Sequence, residues 1–162
     1  MDYVTVFDAS RKGLDWTAPL FGALFVVVGL RSLTARWSTP PYNRPFWRAF
    51  HVLFTLFGLG IATVIPVIQW TERRALVEAL ESGEANVAEG RVRDFVPMPW
   101  AGHAMECFTV DTTRFCYSDF ILTPGFNNAR SHGGPVHEGL NVRIHHVASR
   151  IARLEVAKDA GR

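Results

Sequence analysis

Apolar and polar positions divide the chain into two parts with different periods. An apolar run from Trp16 to Leu30 is closed by Arg31, and a second, from Ala49 to Trp70, holds 22 residues without an acid, a lysine or an arginine. At ~1.5 Å of rise per residue the second run crosses the ~30 Å hydrocarbon core of a bilayer. The first is shorter and needs Leu14 and Leu33, with Asp15 at headgroup level and the long Arg31 side chain reaching back to it. Spans are therefore expected at about 14–33 and 47–70, forming a helical hairpin with the bilayer as its partner. Trp16, Trp37, Trp47 and Trp70 flank the runs, where indole rings favour the membrane interface. Gly22 and Gly29, and Gly58 and Ala62, are small residues at helical spacing that permit close packing. Pro66 falls one turn before the end of the second span, where a kink is tolerated.

The helical period continues past Trp70, with Ala75, Leu76, Ala79 and Leu80 on one face and Gly83 as a natural stop, so a stalk helix is expected over 71–83. Beyond Gly83 the period changes to two. Strands are expected near 86–96, 104–111, 113–120, 139–147 and 150–157. Five short strands over 84–162 suit a small OB- or SH3-like barrel, because closure removes exposed edges. The expected fold class is thus a membrane α-helical hairpin over 1–70 plus an all-β C-terminal domain.

The central hairpin is specific enough to give a register. With Asp111-Thr112 as a two-residue turn, Val110 pairs with Thr113, Thr109 with Arg114, Phe108 with Phe115 and Cys107 with Cys116. Phe108, Val110, Phe115 and Tyr117 then face the core. Cys107 and Cys116 face each other on the outer side at a non-hydrogen-bonded position, where Cα atoms approach to about 4.5 Å. That distance allows a disulfide, a reduced pair in a cytosolic domain being the alternative.

Charge bears on partners and topology. The net charge is +2, yet residues 84–162 carry nine acids against nine lysines and arginines. A neutral β domain lacks the basic face of an electrostatic nucleic-acid binder. The connection between the spans holds Arg31, Arg36, Arg44 and Arg48 and no acid. Arg11 and Lys12 precede the first span, and Arg73 and Arg74 follow the second. The counts tie, but the density of arginine in the connection favours it as cytoplasmic. A multi-pass inner-membrane protein with a periplasmic β domain follows. Arg11 and Lys12 ahead of an apolar run also fit a secretory signal peptide, although Ser32-Leu33-Thr34 and Leu33-Thr34-Ala35 are poor cleavage sites. His51, one turn inside the second span beside Arg48 and Trp47, reads as an interfacial side chain.

Two loops are candidate binding elements. Pro97–His103 offers Trp100 and His103, and the long 123–137 connection offers Phe126, Asn127, Arg130, His132 and His137. Phe126 suits a plug for the barrel end better than a ligand contact. No pair among His103, His132, His137, His145 and His146 has a defined metal-ligand spacing, and strand alternation sends His145 and His146 to opposite faces. Ser118-Asp119 with a distant histidine is a triad by composition only, and no phosphate or dinucleotide fingerprint occurs. Neither metal nor other cofactor is implied, and no catalytic residue is assigned.

The segments Glu89-Gly90-x-Val92-x-x-Phe95, Phe108-x-Val110, Phe115-x-Tyr117-Ser118-Asp119, Gly125-Phe126-Asn127, His132-Gly133-Gly134-Pro135 and Gly139-x-x-Val142-Arg143-Ile144 resemble a pattern of small bacterial two-span membrane proteins of unassigned function. The resemblance covers about 70 residues and implies an architecture, with no activity. In layout alone the chain is also similar to NfeD-type membrane proteins. The function expected is a non-catalytic binding module for a protein or envelope component, an immunity-type protein being one variety. A structural or assembly subunit of a membrane complex is the alternative, and a metal-dependent enzyme a remoter one.

Overall fold

A computed structural model describes residues 2–34 and 44–158. The readings on Trp37 and on the middle of the arginine-rich connection lie outside these residues. The chain forms two compact units, one of residues 14–70 and one combining 1–13 with 71–162.

The first unit pairs α1 (Thr17–Thr34) with the beginning of α2 (Arg44–Ser82). Both helices are long and apolar enough to cross a membrane, and their apolar side chains are largely exposed, Leu20 and Leu53 each to 66%. Contact between them is made at small residues. A Cβ on Gly22 would stand 2.6 Å from the Ala62 nitrogen and 2.8 Å from the Gly58 oxygen, so the backbones touch where the sequence has no side chain to interpose. Next to this contact Phe25 stacks on Phe54 with ring centroids 4.7 Å apart. At the other end of the pair, the Asp15 amide donates to the Gln69 side chain at 2.9 Å, and the Gln69 amide returns a bond to the Asp15 carbonyl at 3.3 Å. This satisfies a buried polar side chain among apolar neighbours. The second apolar run and the expected stalk form one continuous helix, α2, through Ser82.

Among the described residues the second unit contains seven strands: β1 (Tyr3–Asp8), β2 (Asn86–Arg91), β3 (Arg93–Val96), β4 (Glu106–Val110), β5 (Thr113–Tyr117), β6 (Asn141–Val147) and β7 (Arg150–Ala157). All pairings are antiparallel, in a four-stranded sheet of order β1-β7-β6-β2 and a three-stranded sheet of order β3-β4-β5. Three expectations change here. The strand expected over 86–96 is split at fully buried Val92, which exchanges hydrogen bonds with Leu140 and Gly139. The strands fall into two sheets, and a closed five-stranded barrel is not shown. Residues 3–8, read with the membrane half, form an edge strand of the larger sheet. Both sheets enclose one core, with Phe108, Val110 and Phe115 from one side and Val142, Ile144 and Leu154 from the other.

β1 is held at several points. Tyr3 donates to Glu89 at 2.8 Å, and the Arg143 guanidinium lies over its ring at 4.3 Å. Phe7 packs edge-on against Phe126, and Ala9 joins Leu76 of α2 and Ala152 of β7 in a second small core. The apolar face of the α2 extension therefore lies against the sheet. Asp8 accepts two bonds from Ser10 and one from Arg153 at 2.9 Å. Burial alone raises the Asp8 pKa, but the Ser10 hydrogen bonds and the Arg153 guanidinium outweigh it and hold the carboxyl below its ordinary 3.8. A depressed folded-state pKa stabilises the fold above the unfolded value, and that contribution is lost as pH falls through the folded one. In acid titrations followed by circular dichroism, Asp8→Asn is expected to lose part of the stability difference between pH 6 and pH values below 3.8.

Candidate functional site

The β4–β5 hairpin sets the frame for the candidate loops. Its register is the one expected, with Val110 opposite Thr113 and Cys107 opposite Cys116, and the cysteines form a disulfide across Cα atoms 4.2 Å apart. A bridge over so short a separation removes little chain entropy, so replacing both cysteines by serine is expected to cost about 2–3 kcal/mol in guanidinium unfolding. The register should survive, because Phe108 and Phe115 remain packed in the core.

Strand alternation carries the core face back from Val110 through Phe108 to Glu106, which has no exposed surface. Its carboxyl group takes the Tyr117 hydroxyl at 2.6 Å from the facing strand, the Met98 amide at 3.4 Å and the Arg130 amide at 3.0 Å. One side chain thus ties both candidate loops, 97–103 and 123–137, to the hairpin. Burial, with Glu106 accepting the hydroxyl proton, pushes Tyr117 above the usual phenol range. Glu106 was not among the candidate residues. The signal was available: the pattern that sends Phe108 and Val110 inward sends Glu106 inward too, opposite Tyr117.

A second tie comes from outside the β sequence. The Lys12 ammonium donates to the carbonyls of Thr123 and Gly125 and to the Asn127 side chain, at 2.9 to 3.0 Å. Asn127 in turn donates to the Ile121 carbonyl. Farther along, Gly134 closes the loop on itself: a Cβ there would meet the Asn128 oxygen at 2.1 Å, so the Gly-Gly-Pro turn has no room for a side chain.

On this frame the candidate residues separate. Phe126 is buried, its ring edge-on to Tyr117 and Phe7, and it belongs to the core. Asn127 is used in holding the loop. Arg130 offers an exposed side chain, and His137 makes a 3.0 Å contact with the Glu138 carbonyl. Trp100, His103 and His132 come together. The Trp100 ring, 73% exposed, lies 4.8 Å from His132, and Phe120 lies 6.5 Å from His132 and 4.0 Å from His103. Asp119 orients this group, its carboxylate receiving the Ala129 amide on one oxygen and standing 2.5 Å from His132 Nδ1 on the other. Phe120 and Asp119 were missed as site residues, since nothing in the sequence marks a phenylalanine after a strand as exposed.

The arrangement suits recognition. Two rings and two imidazoles give a surface that is apolar and hydrogen-bonding at once, held on the two tied loops and the turn after β5. Ser118, the serine of the composition-only triad, is buried and lies 3.5 Å from the Met98 sulfur. His146 turns inward onto Phe115 at 5.0 Å, while His145 lies on the outer face. Among the described residues no three histidine, cysteine or acidic side chains converge as metal ligands. No protein-family model, no curated protein and no solved structure matches this chain, so its function is read from this geometry alone.

Proposed function

We propose that this is a two-span inner-membrane protein whose β unit is a non-catalytic binding module, engaging a protein or envelope component through the surface built from Trp100, His103, Phe120 and His132. The observation that carries the reading is the exposure of Trp100 on a loop that Glu106 holds in place. Exposed aromatic side chains on a rigid support are what interface anchors consist of. We read the two sheets around one core as a small, partly open barrel, supported by the direct passage from β2 through buried Val92 into β3.

Pairing between β1 and β7 supports the topology. β1 precedes the first apolar helix and β7 follows the second, so their shared sheet requires an even number of crossings between them. It also favours retention of the first span, since cleavage after Leu30 would remove β1 from the sheet. The bonded cysteines and the arginines between the helices favour a periplasmic β unit and a cytoplasmic connection.

A photoreactive amino acid at Trp100 in the full-length protein in intact cells tests the reading, with exposed Thr112 at the hairpin tip as the control site. A discrete adduct at position 100, absent at 112, is the expected result. The same adducts at both positions, or none at either, would overturn the proposal.

A further inference from the structure

Next to Phe120 of the binding surface, the β unit exposes two further apolar side chains that this surface does not account for. Phe120, Ile121 and Leu122 are consecutive, and they are exposed to 54%, 44% and 48%. The turn that presents them is fixed, with the Ile121 amide donating to the Ser118 carbonyl at 3.1 Å and the Phe120 amide to the Ser118 hydroxyl. With Phe120 assigned to the binding surface, Ile121 and Leu122 still face outward from an ordered turn and call for a covering partner.

Contacts within the β unit locate that turn relative to the chain's exits towards its apolar helices. Arg73, three residues after Trp70, donates to the Ser10 and Lys12 carbonyls at 2.7 and 2.8 Å. Lys12, two residues before Leu14, holds the Thr123–Asn127 segment, and Asn127 holds the Ile121 carbonyl at 3.1 Å. A second route gives the same placement. Arg150 pairs with Glu72 at 2.9 Å, and Arg150 and Ile121 line one cleft of about 180 Å³. By either route the exposed turn belongs to the end of the β unit from which the chain leaves for the first apolar run and to which it returns from the second.

We propose that Ile121 and Leu122 insert into the interfacial layer of the same bilayer that the two helices cross. This rests on the membrane reading given above and adds to it a third, non-spanning contact. Arg11 is exposed at that end, and Lys12 and Arg73 give their hydrogen bonds to neutral oxygens, so the end stays cationic towards the headgroup layer into which the apolar turn dips. A turn seated in lipid also fixes the height of the neighbouring Trp100 loop, so that a partner is met at the membrane surface.

Depth measurements on the full-length protein in vesicles of zwitterionic and anionic phospholipid test this. With the native cysteines bonded, single variants Leu122→Cys, Leu20→Cys and Glu138→Cys are labelled with an environment-sensitive fluorophore. Leu20 lies in the first apolar helix and Glu138 is exposed on the β unit. The label at 122 is expected to be quenched by spin-labelled lipid and to be several-fold less accessible to iodide than the label at 138. A label at 122 quenched by iodide as strongly as that at 138, while 20 is quenched by lipid, overturns the proposal and leaves the membrane reading intact. Protection at 122 from both quenchers overturns it in favour of a protein cover. If the label at 20 is itself open to iodide and not to lipid, the membrane reading falls and this inference with it.

Discussion

Glu106→Ala is expected to be the most damaging single substitution in the β unit, costing about 3–5 kcal/mol. The figure follows from what the change leaves behind. Three donors converge on the carboxyl group, and two of them, the Met98 and Arg130 amides, belong to backbone that cannot turn elsewhere. Alanine removes their acceptor, strands the Tyr117 hydroxyl in the core, and opens a void between the hairpin and the loops. Each unsatisfied buried group costs about 1–3 kcal/mol. Against a total domain stability of about 5–15 kcal/mol, such a loss consumes much of the fold. Tyr117→Phe is expected to be much milder, about 1–2 kcal/mol, because it removes one donor and leaves the acceptor with two. Glu106→Gln should fall between them, since its amide group must present a donor to at least one backbone N–H or give up a bond. Pulse proteolysis in urea on the full-length protein in lipid ranks the three. If Glu106→Ala proves no worse than Tyr117→Phe, the ties to the loops carry no energy and the account of the site fails. Hydrogen exchange at the Met98 and Arg130 amides gives a local readout and should accelerate in Glu106→Gln even where the fold persists.

The parts of this structure that were legible in the sequence are those whose determinants are local. The hairpin was readable to the register because a two-residue turn and strict alternation fix which residues face each other. The second apolar helix was readable because 22 uninterrupted apolar or neutral positions admit few other fates. What failed to show was non-local. β1 pairs with a strand about 150 residues away, with Tyr3 opposite Ala157, and nothing near Tyr3 announces that partner. Its composition, Tyr-Val-Thr-Val-Phe, does favour a strand, but a strand without a visible neighbour reads as a tail. The arrangement in two sheets was not legible for the same reason, since which edges meet is decided by long-range pairing. Phe126 and Phe120 illustrate the limit at the level of side chains. Both follow turn residues in the same half of the domain, yet one plugs the core and the other is exposed, because Lys12 draws the 123–127 segment inward and leaves the turn before it outside. The ammonium that makes the difference lies 111 residues from Thr123.

Deleting Asp2–Ala9 is expected to unfold the β unit or leave it open to protease, although the deleted segment precedes both apolar helices. The loss combines several effects. It uncovers the β7 edge, removes the Phe7 ring from Phe126, takes Ala9 from its contact with Leu76 and Ala152, and breaks the pair between Asp8 and Arg153. Removing a packed phenylalanine alone costs about 3–5 kcal/mol, so with the strand ladder the total exceeds the ~5 kcal/mol at the lower end of domain stabilities. The same requirement makes β1 a reporter of membrane topology. Deleting only Thr17–Thr34 leaves one crossing between β1 and β7 and puts them on opposite sides of the membrane, so it should reproduce the protease sensitivity of the β1 deletion. Replacing residues 14–70 by a flexible linker leaves no crossing, returns both strands to one compartment, and should restore resistance despite the larger change. The comparison turns on the parity of crossings and is insensitive to the sequence removed. A β unit that resists protease with a single helix deleted would mean that β1 reaches β7 without passing through a membrane twice, and the two-span arrangement would have to be abandoned.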